Sequence, residues 1–256
     1  MAKILLGAAL VTGVNRGIGL ELIRQLVDSE RSPRVLFAGC REPEGPRVRD
    51  LKNIAEKHPN VIVVKLDVTD SQSIAECVEQ VEKVLEKGGL NLLINDAGIA
   101  TCDTLETLTA EIMEQTFTTN IVAPIMMAKA FVPTLKRAAA LSNFKGLSCS
   151  KAAVINVSSI LGSLELNIDV KGPDDAYSYK TSKAAVNMFT QCLAKQLNPD
   201  GILYAALHPS WVQTDMGGNE APLSVEDSIC GLIQVMTSLS DKSEHFLDWK
   251  GDHLPW

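Results

Sequence analysis

A chain of 256 residues, 46% hydrophobic and 21% charged, is long enough to bury one large core, and an α/β layer protein of this length is commonly a single domain. A formal charge of −7 and the lack of any Lys/Arg run argue against a nucleic-acid or anionic-membrane partner. Six dispersed cysteines without a Cys-x-x-Cys, and four dispersed histidines, argue against a disulfide framework and a zinc site and point to a reducing compartment.

The chain opens on Lys3 and an apolar run from Ile4 to Val11 that looks like a short signal peptide. Because this run ends directly at a glycine loop, it reads instead as the first buried strand. No apolar stretch is long enough to span a bilayer, so the expected location is the cytoplasm. The strands are expected at residues 8–11, 35–39, 61–66, 90–95, 152–157 and 202–207, all nearly continuous apolar runs of the kind found in parallel strands covered on both faces. Between them, Ile18, Leu22, Ile23, Leu26 and Val27 mark one helix. Ile74, Cys77, Val78, Val81 and Leu85 mark another, with Asp70 or Ser71 placed to cap it. Longer helical patterns cover residues 106–141 and 177–197. The alternation predicts an α/β fold: one doubly wound, Rossmann-type parallel sheet over residues 1–256, with helices on both faces and ligands at the carboxyl ends of the strands. Irregular loops at 41–47, 163–175 and 217–222 fall at those ends, whereas 142–151 falls at the other.

The first of those ends carries Thr12-Gly13-Val14-Asn15-Arg16-Gly17-Ile18-Gly19, between a strand and a helix. Glycines there let the chain turn tightly and let a pyrophosphate approach the helix N-terminus. Gly13, Asn15, Arg16, Gly17, Ile18 and Gly19 are therefore assigned to a dinucleotide. An NAD site usually places an acid at the end of the second strand, but here the residues run Phe37-Ala38-Gly39-Cys40-Arg41. Arg41 and Arg16 are suited to flank a 2′-phosphate, which points to NADPH/NADP+; the other reading is two ordinary surface arginines.

Tyr179 and Lys183 are four apart and share a helix face. An ammonium beside a phenol lowers its pKa from about 10, which suits proton exchange near neutral pH. Alone, the pair is also what a surface helix shows by chance. The context is Asn95-Asp96-Ala97-Gly98, Asn120 within a helix, Ser158-Ser159 after the fifth strand, then Tyr179 and Lys183.

That set, in that order, resembles the short-chain dehydrogenase/reductase family, from the first strand to the C-terminus. The resemblance implies a catalytic set of Asn120, Ser159, Tyr179 and Lys183. In it Tyr179 exchanges the proton, Lys183 lowers its pKa and binds the nicotinamide ribose, Ser159 bonds the substrate carbonyl, and Asn120 helps hold a water near the lysine. It further implies cofactor contacts from Asp67 and Val68, from Asn95, Ala97 and Gly98, from Tyr179 and Lys183, and from Pro209, Val212 and Thr214. Three departures stand out: Asp96 replaces the usual second Asn, Pro209-Ser210 replaces Pro-Gly, and the gap from Ser159 to Tyr179 is long. The closer likeness is to sniffer-type carbonyl reductases and C-factor-like proteins. It is carried by Asn15-Arg16-Gly17, Ser158-Ser159-Ile160-Leu161-Gly162-Ser163, Thr214-Asp215-Met216-Gly217-Gly218 and Leu254-Pro255-Trp256. It implies NADPH, a small-molecule carbonyl substrate such as an aldehyde, ketone or quinone, and a homodimer paired through the two long helical stretches. Ile99, Leu161, Leu164, Trp211, Val212, Met216 and Pro222 are candidate pocket residues, and each equally fits the core.

Two other readings stand beside this one. Ser159, Asp175 and His208 occur in a possible hydrolase order, but no Gly-x-Ser-x-Gly surrounds the serine. The second is an NADPH-binding sensor of the same fold, since fold does not settle role.

Overall fold

Apolar runs without polar alternation can be stable as strands only if both faces are covered. In the computed structural model, which describes residues 7–29, 32–166, 176–243 and 245–256, they are. Strands β1 (Ala8–Thr12), β2 (Val35–Cys40), β3 (Val61–Lys65), β4 (Leu92–Asn95), β5 (Ala153–Val157), β6 (Leu203–His208) and β7 (Phe246–Asp248) form one parallel sheet in the order β3-β2-β1-β4-β5-β6-β7. The predicted doubly wound sheet is therefore present, with six of its strands at the expected places. Residues 1–6 of the opening apolar run and 167–175 of the predicted 163–175 loop lie outside the described residues.

Alternate strand residues feed two large cores, one on each face of the sheet, and a small third cluster of Ala206, Phe246 and Leu254. On one face, Ala9, Val11, Leu92 and Ile94 meet Leu22, Ile23 and Leu26 of α1 (Gly17–Asp28), Leu51 of α2 (Arg49–Lys57) and Ile229, Leu232 and Met236 of α7 (Val225–Ser238). On the other, Ala8, Leu10 and Leu93 meet Ile74, Cys77 and Val81 of α3 (Ser71–Leu85), Met127, Phe131 and Leu135 of α5 (Ala123–Leu141) and Ala194 and Leu197 of α6 (Tyr177–Leu197). Asp70 is the cap of α3, accepting the Gln72 N–H at 2.9 Å. The strand order reverses between β1 and β4, which opens a crevice at their carboxyl ends where ligands of such sheets bind.

The long helix expected over 106–141 is broken. It begins as α4 (Ala110–Phe117), capped by Thr109, and passes through one π-helical turn, Thr118–Val122, before α5. In that turn the Ala123 N–H reaches back five residues to the Thr118 carbonyl. Pro124 has no N–H to offer Asn120, so the regular i to i−4 ladder cannot continue there. Asn120 is thus set in a widened turn that faces the crevice loops.

Candidate active site

The glycine loop folds onto the end of β4. The Gly13 and Val14 N–H groups both donate to the Gly39 carbonyl, at 3.0 and 3.3 Å. Gly13 has φ +75°, and a Cβ on it would lie 2.9 Å from the Ala97 Cα. The Thr12 hydroxyl accepts the Asp96 and Ala97 N–H groups at 3.1 and 3.0 Å. A Cβ on Gly19 would lie 2.6 Å from the Gly13 carbonyl oxygen and 2.8 Å from Asp96 Oδ2. Glycines are needed here to bring α1 against the strand ends.

Whether this cradle fits an anionic group is tested by its caps. Asp70, Thr109 and Ser224 cap α3, α4 and α7 with their side chains, whereas α1 has no side-chain cap and no acid in its first turn. Its N-terminus, beside Asn15 and Ile18, keeps the positive end of its dipole for a ligand, which suits a pyrophosphate. Arg41 is exposed at the end of β2, next to Asp67 and Val68 at the end of β3. Burial opposes the Asp67 carboxylate, but hydrogen bonds from Thr69 and the Arg41 charge hold it below the usual range. Arg16 is also exposed, and its Nη1 lies 2.6 Å from Asp215 Oδ2.

Across the crevice, α6 presents Tyr179 and Lys183. Lys183 is only 7% exposed; its Nζ donates to the Val157 carbonyl at 2.7 Å and lies 5.5 Å from the centre of the Tyr179 ring. Ser159 hydrogen-bonds the Tyr179 phenol and also accepts the Leu161 N–H at 3.1 Å. Ser158, in contrast, donates to Asn187 Oδ1 at 2.6 Å, inside the α6 packing. Asn120 binds both backbone groups of Ile99, accepting its N–H at 2.9 Å and donating to its carbonyl at 2.8 Å, and donates to Ser182 at 3.0 Å. Asn120, Ser159, Tyr179 and Lys183 are thus brought together at one strand end.

The electrostatics reverse one sequence expectation. The four-residue spacing predicted a phenol lowered by the lysine, but burial pushes Tyr179 up to about 12, against the pull of the Ser159 hydrogen bond and with added repulsion from Asp96. The Lys183 ammonium, which donates to the Val157 carbonyl, does not offset this burial. Burial drives Lys183 down to about 8, with the Asp96 carboxylate opposing that fall. Burial likewise raises Asp96 to about 7, opposed by the Lys183 charge and the Gly19 N–H that its carboxyl accepts. The residue that departs from the expected Asn therefore sits between the glycine loop and the lysine.

The remaining candidates line the same crevice. Asn95 donates from its side-chain amide to Asn156 at 2.8 Å, within the sheet, while its Oδ1 is buried without a hydrogen-bond partner among the described residues. A Cβ on Gly98 would lie 3.3 Å from Asn120 Oδ1 and 4.0 Å from Lys183 Nζ. After β6, Pro209 accepts the Ser228 hydroxyl at 2.6 Å, and Val212 bridges to Leu223. The Thr214 methyl would stand 3.5 Å from a Cβ on Gly17, so this loop closes over the glycine loop. Of the pocket candidates, Leu164, Trp211 and Met216 are exposed apolar side chains. Burial takes His208 down to about 4, and its Nδ1 has no hydrogen-bond partner among the described residues. Ser159 bonds Tyr179 and not His208, and Asp175 lies outside the described residues, so the hydrolase arrangement has no support. The sequence reading missed Ser178, Ser182, Asp103 and Asp215. Its one available signal was that Ser178 and Ser182 repeat the spacing of Tyr179 and Lys183 one residue earlier.

Comparison with known proteins agrees with this geometry. Residues 7–222 match the family described as short chain dehydrogenase. The C-signal protein of Myxococcus xanthus is 36% identical over 172 residues, covering 66% of this chain and 94% of that protein. An uncharacterized oxidoreductase of Schizosaccharomyces pombe is 32% identical over 267 aligned positions, 96% of each chain. Among solved structures, the NADPH-bound carbonyl reductase from chicken fatty liver is 43% identical with a TM-score of 0.91, covering 98% of this chain and all (100%) of that one. Carbonyl reductase Sniffer of D. melanogaster is 37% identical with a TM-score of 0.93 and the same coverage, 98% and 100%. The seven-stranded sheet, the crevice at its switch point and the match over most of the chain lead to one conclusion: this chain belongs to the short-chain dehydrogenase family of oxidoreductases.

Proposed function

We propose that the protein is an NADPH-dependent carbonyl reductase acting on aldehydes, ketones or quinones. The observation that carries this reading is the hydrogen-bonded Ser159–Tyr179 pair with Lys183 beside it, at the strand ends that the glycine loop also faces. NADPH, when bound, supplies the hydride. Ser159 and Tyr179 hold the substrate oxygen between their hydroxyls, where negative charge develops in the transition state. A phenol raised to about 12 is protonated across the physiological range, so Tyr179 is always charged with the proton it must give. Lys183 stabilises the phenolate that remains and binds the nicotinamide ribose. The cofactor is further held by the glycine loop, Arg16, Arg41, Asp67, Val68, Asn95, Ala97, Gly98, Pro209, Val212 and Thr214. The Asn120 side chain is spent on Ile99 and Ser182, which fixes the loop after β4 against α6.

The test is NADPH oxidation with a panel of quinones, aldehydes and ketones. Tyr179→Phe keeps the ring and removes the acid, and turnover should fall by about 10²-fold or more with cofactor affinity little changed. Lys183→Met should damage both. Tyr177→Phe is the control: Tyr177 is 42% exposed at the start of α6, and activity should survive its change. Near-normal turnover in Tyr179→Phe overturns the assignment. The likeness to a protein named C-signal supports the second reading, a signalling protein of the same fold, which full biological function of Tyr179→Phe would favour.

The protein is also proposed to be cytoplasmic and to form a homodimer through the helices of residues 106–141 and α6. Exposed apolar side chains support this pairing: Val122 in the π turn, Leu141 on α5 and Met188 on α6. Sedimentation showing a monomer at micromolar concentration would count against it. Among the described residues no helix is long and apolar enough to cross a membrane, and no cluster of three metal-binding side chains occurs.

A further inference from the structure

The helix that carries Tyr179 and Lys183 does not cap itself. Its N-cap, Ala176, has φ +73° and ψ +46°, a left-handed conformation that a residue with a Cβ adopts at a cost, and it supplies no side-chain acceptor. The cap comes from the loop between β4 and α4, seventy-five residues earlier. Asp103, 2% exposed, accepts the Ser178 N–H at 3.0 Å on Oδ2. Its Oδ1 lies 2.6 Å from the Ser178 hydroxyl and 2.7 Å from the Thr101 hydroxyl, and those two hydroxyls are 2.6 Å apart. Its backbone carbonyl accepts the Ala176 N–H at 2.6 Å. Burial opposes the charge on Asp103, but the Ser178 and Thr101 hydrogen bonds outweigh it and hold the carboxyl below its usual range, as the helix dipole also favours.

This grip is one of two on the same strap of chain. Ile99, four residues before Asp103, is held on both backbone groups by Asn120, which also bonds Ser182. Ser178 and Ser182 are fully buried and lie on one face of α6, and Tyr179 and Lys183 lie on the face about 100° further round. Gripping the first face sets the angle at which the second is presented. A phenol oxygen roughly 8 Å from the helix axis moves by about 1.4 Å when the helix turns by about 10°. An error of about 1 Å in a reacting group can cost about 10²-fold in rate.

We propose that Asp103 is a positioning residue for the reductase reaction: by clamping Ser178 to the Ile99–Asp103 strap, it sets the rotation of α6 and hence the place of the Tyr179 phenol. The proposal rests on the reading of Tyr179 as proton donor, and it concerns kcat more than cofactor binding, because most residues assigned to the cofactor lie on the glycine loop and the ends of β2, β3, β4 and β6, outside α6.

The experiment measures kcat, KM for the carbonyl substrate, the NADPH dissociation constant by fluorescence and the melting temperature, for wild type, Asp103→Ala, Asp103→Asn, Ser178→Ala and Tyr179→Phe. Asp103→Ala should lower kcat by about tenfold or more while the NADPH dissociation constant stays within about twofold. Asp103→Asn can accept the Ser178 N–H on its oxygen and donate from its amide to the two hydroxyls, so it should recover most of kcat. Ser178→Ala keeps the N–H bond and loses the hydroxyl links, so its kcat should fall by a smaller factor, about two- to fivefold. A folded Asp103→Ala with wild-type kcat, measured well below its melting temperature, overturns the proposal. So does an Asn variant as slow as the Ala variant, or a loss of NADPH affinity that matches the loss of kcat. If Asp103→Ala does not fold, Ser178→Ala decides: an unchanged kcat overturns the proposal, and a fall at constant NADPH affinity supports it. Tyr179→Phe separates the two levels, since full activity there removes the proton-donor reading whatever the Asp103 variants do.

Discussion

Arg16 Nη1 and Asp215 Oδ2 lie 2.6 Å apart and tie the glycine loop to the loop after β6, across the mouth of the crevice. Both side chains are more than half exposed, 53% and 73%, so the pair is worth little by itself, at most about 1 kcal/mol. Arg16 must leave Asp215 to meet a 2′-phosphate. Asp215→Asn should therefore tighten NADPH by about two- to fivefold, with little change for NADH, and the gain should shrink at high salt. Titration of both cofactors checks this; an equal change for both places Arg16 away from the 2′-phosphate.

Arg41 stands at the end of β2, where an NAD enzyme places an acid. Arg41→Asp puts a negative charge beside the 2′-phosphate and next to Asp67. NADPH affinity should fall by about tenfold or more while NADH affinity changes far less. Equal binding of the two cofactors by the wild-type protein would refute the cation argument.

The buried Asp96–Lys183 pair predicts a pH profile. Lys183 is lowered to about 8, so its ammonium is present below that pH and is lost as pH rises through it. Reductive kcat/KM should be level near neutrality and fall above about pH 8. Asp96, raised to about 7, ionises as pH rises through neutrality, and its carboxylate supports the ammonium as pH approaches 8. His208 is lowered to about 4 and stays neutral there. Asp96→Asn keeps an acceptor for the Gly19 N–H but removes the charge, so the alkaline limb should shift to lower pH. A limb that stays in place, or moves up, shows that Asp96 does not act on Lys183.

Ser210 occupies the position where the family usually has glycine, and its φ is +76°. A serine there bears the left-handed penalty that glycine avoids, offset by glycine's greater freedom in the unfolded chain. Ser210→Gly should stabilise the protein by about 0.5–1 kcal/mol, a rise of roughly 1–4 °C in a thermal melt. A fall in melting temperature would mean that the Ser210 side chain makes a stabilising contact that outweighs its backbone strain.

Six strands were legible because a parallel strand covered on both faces is written as an uninterrupted apolar run. β5 and β6 begin within one residue of expectation, and α6 spans the predicted 177–197. β7 was not legible: three residues, Phe246–Asp248, are a strand only because β6 pairs with them. α2 was hidden because Leu51 is its one buried residue. α7 does carry a readable signal, Ser224 as cap before Ile229, Leu232, Val235 and Met236 on one face, which the sequence reading left unused. The break at Asn120 needed Pro124 to be read as a missing donor four residues on, not as a residue tolerated near a helix start.

The sequence by itself determined the sheet, the glycine loop and the order of the motif residues. These depend on periodicity and on conformational preferences that act over a few neighbouring positions. Only the tertiary structure decided that burial raises the phenol, that Lys183 donates to Val157, and that Asp103 caps the helix bearing both. Each of those outcomes is set by a partner or by burial that arrives from a distant segment, 75 residues away for Asp103 and Ser178 and 199 for Arg16 and Asp215. A pKa or a hydrogen bond belongs to the place where segments meet, and local sequence does not specify that place.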